Sequence, residues 1–387
     1  MQIPFGEWLP DQPEYLNPGA TTANNVYYAQ NSYKRFPSLV SYSTNNMGAD
    51  SRGAGSFRDN AGNVYNFVAK NTDLYQLTGG SFTSRKGSLT GGNTDFWTFT
   101  QFGNYVIASN GVDAPQYYLM GTSTNFANLS TIATGVPNFR VSGVVRDFLV
   151  TGNQSSNQNR IQWSGINDIT EWTAGTKQAD QQDLPGSGGE IVHITSGEIG
   201  YVFRQNQIIR MDYVGGATVF RLSVISPNRG AVYGRTVAQD NRRVFFYADD
   251  GFFEINGDQV IPIGAEKVNR FFDLDVNKAY LDRICAAVDP FNQLALWLYP
   301  SASNTANTTG ICDKIIIYNY ATQKWSTADA SASTIFSQFV GAYTVELMDI
   351  ISENLDNINI ALDTDFWNGG QLLLGAIDSD YKAAIFS

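Results

Sequence analysis

Short runs of β-branched and aromatic residues, bounded by Gly, Asn, Asp and Ser, recur from about residue 56 onward. Runs of this length do not reach the span of an amphipathic helix and match the half-buried surface of strands. The clearest pair is 244–248 and 252–255, with Asp249-Asp250-Gly251 between them. Asp-Gly is a hairpin signal because Gly, and to a lesser degree Asp, tolerates φ > 0. The same arrangement predicts hairpins from 64–69 and 74–77, 105–108 and 116–119, 148–151 and 160–163, 201–204 and 208–213, and 294–299 and 315–318.

The first strands of these hairpins start near 64, 105, 148, 201, 244 and 294, so the spacing is 41, 43, 53, 43 and 50 residues. A repeat of this size, each unit holding a central hairpin flanked by further short strands, matches a β-propeller blade. One four-stranded blade cannot bury both faces alone, whereas stacked blades can. A pair of β-sandwiches is the rival architecture, but it supplies no reason for this period. The expected fold is therefore all-β, a β-propeller of six to seven blades. Its blades would occupy residues 51–332, with 333–387 a last blade or acidic C-terminal segment.

Two regions break the pattern. Residues 1–50 carry Pro4, Pro10, Pro13 and Pro18, which oppose regular structure. Yet Phe5, Trp8, Leu9 and Tyr15 make this segment too apolar for a free linker, so it is expected to lie extended on its own fold or on a neighbouring subunit. Phe5, Trp8, Leu9 and Tyr15 are the candidate partner-docking residues, and a strand from this region is a candidate for ring closure. Residues 265–272 and 276–283 have helical apolar spacing and predict one or two short inserted helices.

Composition agrees with a β protein: aromatics are 13% of residues, and charged residues only 16%. The net charge of −11 argues against a basic clamp on nucleic acid. Residues 341–387 hold eight acids and a single base, Lys382. Cys285 and Cys312 are too few for a disulfide scaffold or zinc motif and are expected as free thiols in strands. No apolar run is long enough to span a membrane, and the first residues do not read as a signal peptide. Synthesis in a reducing cytoplasm is the expectation, with no membrane anchor.

Candidate chemistry is sparse. The single histidine, His193, sits in a predicted strand with no cysteine or second histidine nearby and reads as structural. The Gly186–Gly189 stretch lacks the Lys-Ser/Thr of a phosphate loop. Asp363, Asp365, Asp378 and Asp380 are calcium ligands by type but lack the full loop. Ser164, Asp168 and Trp172 resemble the Asp-box turn of sialidase propellers, although the spacing departs from it. A glycosidase needs paired carboxylates brought together, and nothing in the sequence places such a pair. No catalytic residue, metal site or cofactor is expected.

Several blocks nevertheless resemble one family. Phe5-Gly6-Glu7-Trp8-Leu9-Pro10-Asp11, Asn17 to Thr21, Asn24-Asn25-Val26 and Tyr33 to Leu39 resemble the N-terminal region of tail proteins from short-tailed bacteriophages. So do Trp163 to Trp172, Gly264 to Phe272, Tyr280 to Ile284 with Ala286 to Pro290, and Tyr318 to Trp325. These are similar to the packaged-DNA stabilisation proteins, the tail hub or nozzle; the similarity runs from residue 5 to about 326 and no block is catalytic.

The resemblance implies a structural virion protein, a propeller subunit of which six copies form a homohexameric ring below the portal and adaptor. A needle, plug or fibre protein would lie beneath, and viral DNA would be retained and then passed through the channel without sequence-specific binding. Acidic excess suits such a channel, because a basic lining binds phosphates through counterion release. Glu346, Asp349, Asp363 and Asp365 are the candidate channel-rim residues. The alternative is a tail-associated propeller that binds or cleaves host glycan.

Overall fold

Hairpins form where apolar runs flank short polar turns, and they assemble into successive antiparallel sheets. The computed structural model describes residues 6–13, 15, 17, 19–29, 31–240, 243–305, 307–339 and 372–387. β1 (Val26–Ala29) and β2 (Ser32–Arg35) make a two-stranded hairpin, and β3 (Leu39–Ser41) follows. Five four-stranded antiparallel meanders come next, in chain order. The first is β4 (Gly53–Arg58), β5 (Val64–Ala69), β6 (Leu74–Thr78) and β7 (Ser81–Lys86). The second is β8 (Thr98–Phe102), β9 (Tyr105–Ser109), β10 (Gln116–Leu119) and β11 (Ala127–Asn128). The third is β12 (Phe139–Val145), β13 (Phe148–Gln154), β14 (Asn157–Trp163) and β15 (Asp180–Asp183). The fourth is β16 (Ile191–Ile194), β17 (Ile199–Arg204), β18 (Ile208–Tyr213) and β19 (Phe220–Ser226). The fifth is β20 (Ala238–Asp240), β21 (Arg243–Ala248), β22 (Gly251–Asn256) and β23 (Gln259–Pro262).

Helix α1 (Asn269–Asp275) and a 3-10 segment (Lys278–Arg283) then interrupt the strands, where helical spacing is predicted. The last sheet has seven strands: β24 (Cys285–Asp289), β25 (Leu294–Tyr299), β26 (Cys312–Asn319), β27 (Lys324–Phe339), β28 (Leu372–Asp378), β29 (Ala383–Phe386) and, outermost, β3. The protein is thus all-β with multiple four-stranded antiparallel sheets.

The second strand of each meander is its most buried. β13 and β25 are buried at every residue, and β17 and β21 at all but the first. The last strands, β15 (Asp-Gln-Gln-Asp) and β23, are largely exposed. Strands buried on both faces read as continuous apolar runs, and edge strands do not.

The chain divides into two compact units. The internal unit comprises residues 51–78 and 82–234, and the terminal unit comprises 1–50, 79–81 and 235–387. In the internal unit the apolar clusters lie between consecutive sheets; one joins Phe67 and Leu74 to Val106 and Tyr118, another Val150 and Ile161 to Ile194 and Val202. In the terminal unit Leu296, Ile315, Ile317, Ala328, Ile335 and Phe386 form one core. An aromatic group forms a second: Phe252 lies 4.8 Å from both the Phe272 and Trp297 rings and 5.1 Å from Trp325.

Two details differ from expectation, and a third shows how the last sheet is built. The two-residue turn of the 244–255 hairpin is Asp249-Asp250, since Ala248 pairs with Gly251. Positive φ therefore falls on Gly251, at +128°, as the first residue of β22 rather than inside the loop. Residues 152–159 are mostly strand, not loop: a register shift between Gly152 and Gln154, with Asn153 at φ +54°, carries the pairing to a tight turn. Finally, β28 and β29 do not form a separate sheet. The 16-residue β27 pairs with β26 along its first half and with β28 along its second, which fuses them.

Candidate functional site

The first described residues form a strap over the terminal unit. Proline-rich sequence cannot make a sheet of its own, so its polar groups find partners elsewhere. Trp8 is 4% exposed and stands edge-on to Phe271 of α1, with ring centroids 5.0 Å apart. The Glu7 carboxylate lies between two ammonium groups, 2.8 Å from Lys267 Nζ and 3.1 Å from Lys324 Nζ. Lys324 also sits 4.8 Å above the Tyr28 ring.

Asp11 completes the grip. Helix α1 is preceded by Val268, whose side chain cannot cap it. The unpaired N–H groups of a helix start need an acceptor. Asp11 supplies it: the backbone N–H of Arg270 donates to Oδ2 at 2.9 Å and that of Phe271 to Oδ1 at 2.8 Å. Further along, Asn25 N–H donates to the Thr327 carbonyl at 2.7 Å, and Thr327 N–H to that of Ala23 at 2.8 Å. The Asn24 and Asn25 amides both donate to Asp329 Oδ2, at 2.6 and 3.0 Å. The strap thus covers one edge of β27.

The ion pairs are partly exposed, so each contributes at most about 1 kcal/mol. Burial of the Trp8 ring contributes about 3 kcal/mol and dominates.

Two clefts flank the strap and share Phe271. One, of about 570 Å3, is lined by Pro10, Pro13, Arg270 and Leu274 among others, and Leu274 is 69% exposed. The other, of about 600 Å3, is lined by Trp8, Asn17, Asn24, Lys314 and Asp329 among others. Its charged groups are engaged within the fold: Lys314 Nζ donates to both Asp275 oxygens at 3.0 and 3.1 Å. The arrangement holds a segment in place; it brings no nucleophile next to a base.

Among the predicted docking residues, Trp8 is spent inside its own chain, because its ring finds the exposed face of Phe271 there. Leu9 is half-buried and Tyr15 is 84% exposed. Phe5 lies outside the described residues, and so do all four channel-rim candidates, Glu346, Asp349, Asp363 and Asp365. Asp378 is a turn staple: one oxygen accepts the N–H groups of Asp380 and Lys382, and the other takes the Ser41 hydroxyl.

Other sequence features resolve into structure. The Gly186–Gly189 loop wraps a buried arginine. Arg204 donates to the carbonyls of Pro185, Gly186 and Gly189 and to the side-chain oxygens of Gln207 and Asn159, at 2.9–3.3 Å. A Cβ on Gly188 would stand 2.8 Å from Arg204 Nη1, so the close approach requires glycine there. Asp168 pairs with Lys177 Nζ at 2.6 Å and accepts from Thr170, which together hold its pKa down at about 2. Trp172 donates its indole N–H to the Ile169 carbonyl and packs with Phe139 and Leu149. His193 is half-buried and stands edge-on to Phe203, and loss of solvent around its ring pushes the pKa down to about 4. Cys285 and Cys312 are free and buried in β24 and β26.

Nothing in the sequence marks Glu7, Asp11, Arg204 or Asn269 as structural keys. Val268 was the available signal for Asp11: a helix start without Ser, Thr, Asp or Asn calls for a cap from elsewhere.

No protein-family model matches the chain. No curated protein matches it in sequence. Among solved structures, the extracellular domain of a hybrid two component system from B. thetaiotaomicron is similar at a TM-score of 0.51 and 11% identity. That match covers 90% of this chain and 39% of the other, so the chain spans well under half of its length. A chain from a Mitotic Checkpoint Complex structure reaches a TM-score of 0.48 at 10% identity, covering 93% of this chain and 98% of that one. At these identities the first likeness bears on the β-sheet fold alone, and the second is too low to bear on it.

Proposed function

We propose that the chain is a structural virion protein of a short-tailed bacteriophage tail, a hub or nozzle subunit. Six copies form a ring below the portal and adaptor, and its channel retains the genome and then passes it during ejection. The observation that carries this reading is spatial. The blocks that resemble the family are scattered over more than 300 residues of sequence, yet many converge in one hydrogen-bonded module. Glu7, Trp8 and Asp11 of the first block meet Lys267, Arg270 and Phe271 of another and Lys324 of a third. Asn24 and Asn25 meet β27, and the Tyr33 hydroxyl donates to the Gly6 carbonyl at 3.0 Å. Trp325, from the last block, lies under Phe252.

The five meanders serve as propeller blades, and β24–β27 as a sixth. The second half of β27, with β28, β29 and β3, is a seventh unit in which strands from both ends of the sequence meet. Low charge and an overall charge of −11 favour DNA passing without retention on the wall. Tyr15 and Leu274, which stay exposed beside the strap, are the apolar residues offered to a neighbour or the adaptor.

Light scattering and electron microscopy of the purified protein test this. A six-fold ring with a hole wide enough for duplex DNA is expected. A monomer that binds or digests polysaccharide would overturn it in favour of a glycan-directed tail protein.

A further inference from the structure

A third cleft, of about 340 Å3, lies wholly within the internal unit. The first turns of two successive meanders line it: Gly103-Asn104 between β8 and β9, and Arg146-Asp147 between β12 and β13. The stretch from Asn167 to Thr170, after β14, supplies most of the remaining lining. Phe102 and Ile169 are its buried apolar residues, and Tyr105 is half-buried beside them. Two lining residues hold a left-handed backbone without being glycine, Arg146 at φ +54° and Asn167 at φ +52°. Strain of this kind persists only where surrounding bonds impose it. Here the Arg146 N–H donates to the Gly197 carbonyl at 2.7 Å, and the Asn167 N–H to the Asp147 carbonyl at 2.8 Å. The second bond ties the loop to the turn, so the cleft is formed before any ligand arrives.

We infer that this cleft binds a neutral saccharide, taking one pyranose ring. Charge excludes the anionic ligands. Arg146 and Asp147 offset one another across 3.9 Å, and Asp168 is matched by Lys177 at 2.6 Å. The guanidinium of Arg146 also sits 4.6 Å above the Tyr213 ring, which holds it in place. No net charge is left to select a phosphate or sulfate. Polarity excludes a wholly apolar ligand, which would strip water from Asn104, Asp147 and Asn167 without replacing the lost hydrogen bonds. A pyranose meets both demands. The Asn104 and Asn167 amide nitrogens have no acceptor among the described residues; only Asn104 Oδ1 is engaged, by the Asn60 N–H at 3.2 Å. Sugar hydroxyls donate and accept, so they suit amide nitrogens that only donate and a carboxylate that only accepts. The C–H face of the ring suits the aromatic face of Tyr105. The volume lies near the lower end for small-molecule pockets, roughly 300–1,000 Å3, which is room for one ring rather than a chain.

Saturation-transfer difference NMR on the purified full-length chain tests this, with the methyl glycosides of glucose, galactose, mannose and N-acetylglucosamine as probes. At least one is expected to bind, with saturation strongest on its ring C–H protons. Asn167→Gly removes the amide where glycine adopts the same backbone without strain. Asp147→Asn removes the carboxylate and keeps its shape. Each should weaken binding by about tenfold or more. Asn31→Gly, the same exchange at another left-handed asparagine but in the terminal unit, should leave binding unchanged. Failure of every glycoside to bind overturns the proposal, and so does wild-type affinity in both cleft variants. Tighter binding of glucose 6-phosphate than of methyl glucoside would overturn it in favour of an anion site. The cleft needs no neighbouring subunit, so it stands apart from the ring reading. A six-fold ring that binds no glycoside leaves the ring and overturns the cleft. A monomer that binds one through Asn167 and Asp147 supports the cleft and overturns the ring.

Discussion

Asn269, the first residue of α1, grips Gly251 from both sides: its Nδ2 donates to the Asp250 carbonyl at 3.2 Å, and its Oδ1 accepts the Phe252 N–H at 3.3 Å. The helix thereby fixes the tip of the most aromatic hairpin. A Cβ on Gly251 would collide with the Asn269 amide, and φ at this position is +128°. Gly251→Val should therefore cost about 3 kcal/mol or more, from backbone strain and loss of the clasp together. Urea unfolding checks this, and a variant within 1 kcal/mol of wild type would contradict the clasp.

Arg204 is fully buried without a carboxylate partner among its hydrogen bonds. Its guanidinium is satisfied by five neutral oxygens instead. Arg204→Leu strands those acceptors and should destabilise the internal unit by about 3–5 kcal/mol. Arg204→Lys should recover little, because one ammonium cannot span the same fork of oxygens. Comparison of the two by chemical denaturation decides it; full rescue by lysine would show that charge alone matters.

Removing the remote cap should loosen α1 selectively. Asp11→Ala is expected to cost about 1 kcal/mol, and Asp11→Asn less, since an amide oxygen still accepts. Hydrogen exchange should report faster exchange at Arg270 and Phe271 while β25 stays protected. Uniform acceleration across the terminal unit would mean that the strap and the sheets open together.

His193 gives a pH signature. Its folded-state pKa is lowered to about 4, below the unfolded value near 6.5. Its neutral form is the one that folding favours, so the associated stability is complete above about pH 6.5. It falls as the pH drops from there toward 4, by about 1–3 kcal/mol. His193→Phe should flatten this part of the profile relative to wild type in matched denaturation series; an unchanged slope would rule out the half-buried imidazole as its source.

The sequence made the interior of the fold legible and left its rims obscure. β5, β9, β13, β21 and β25 begin within one residue of their predicted positions, and β17 begins two residues earlier. These strands are buried along most of their length and each carries a run of at least three apolar residues, such as Phe67-Val68-Ala69 in β5 and Phe148-Leu149-Val150 in β13. β15 and β23 are exposed edges whose side chains have no pattern to read. The fusion through β27 has no sequence signal because the middle of the strand, Ser326 to Thr334, holds only Ser, Thr, Ala and Asp and no aromatic or β-branched apolar run. The site was obscure for a different reason. Trp8 and Tyr15 look alike as exposed aromatics in a proline-rich segment, and only the position of Phe271 makes one an anchor and leaves the other in solvent.

The pairing of β3 with β29, Ser41 opposite Ala384, has a consequence for the order of synthesis. The internal unit is drawn from residues 51–78 and 82–234, so its whole chain has been made once translation passes residue 234. The terminal unit must wait, with its early strand and arm unsatisfied, until the last sheet has been made. Stalled chains ending shortly after residue 234 should resist protease across 51–234 and be cut ahead of it. The arm is therefore without its receiving groups on α1 and β27 until β27 has been made.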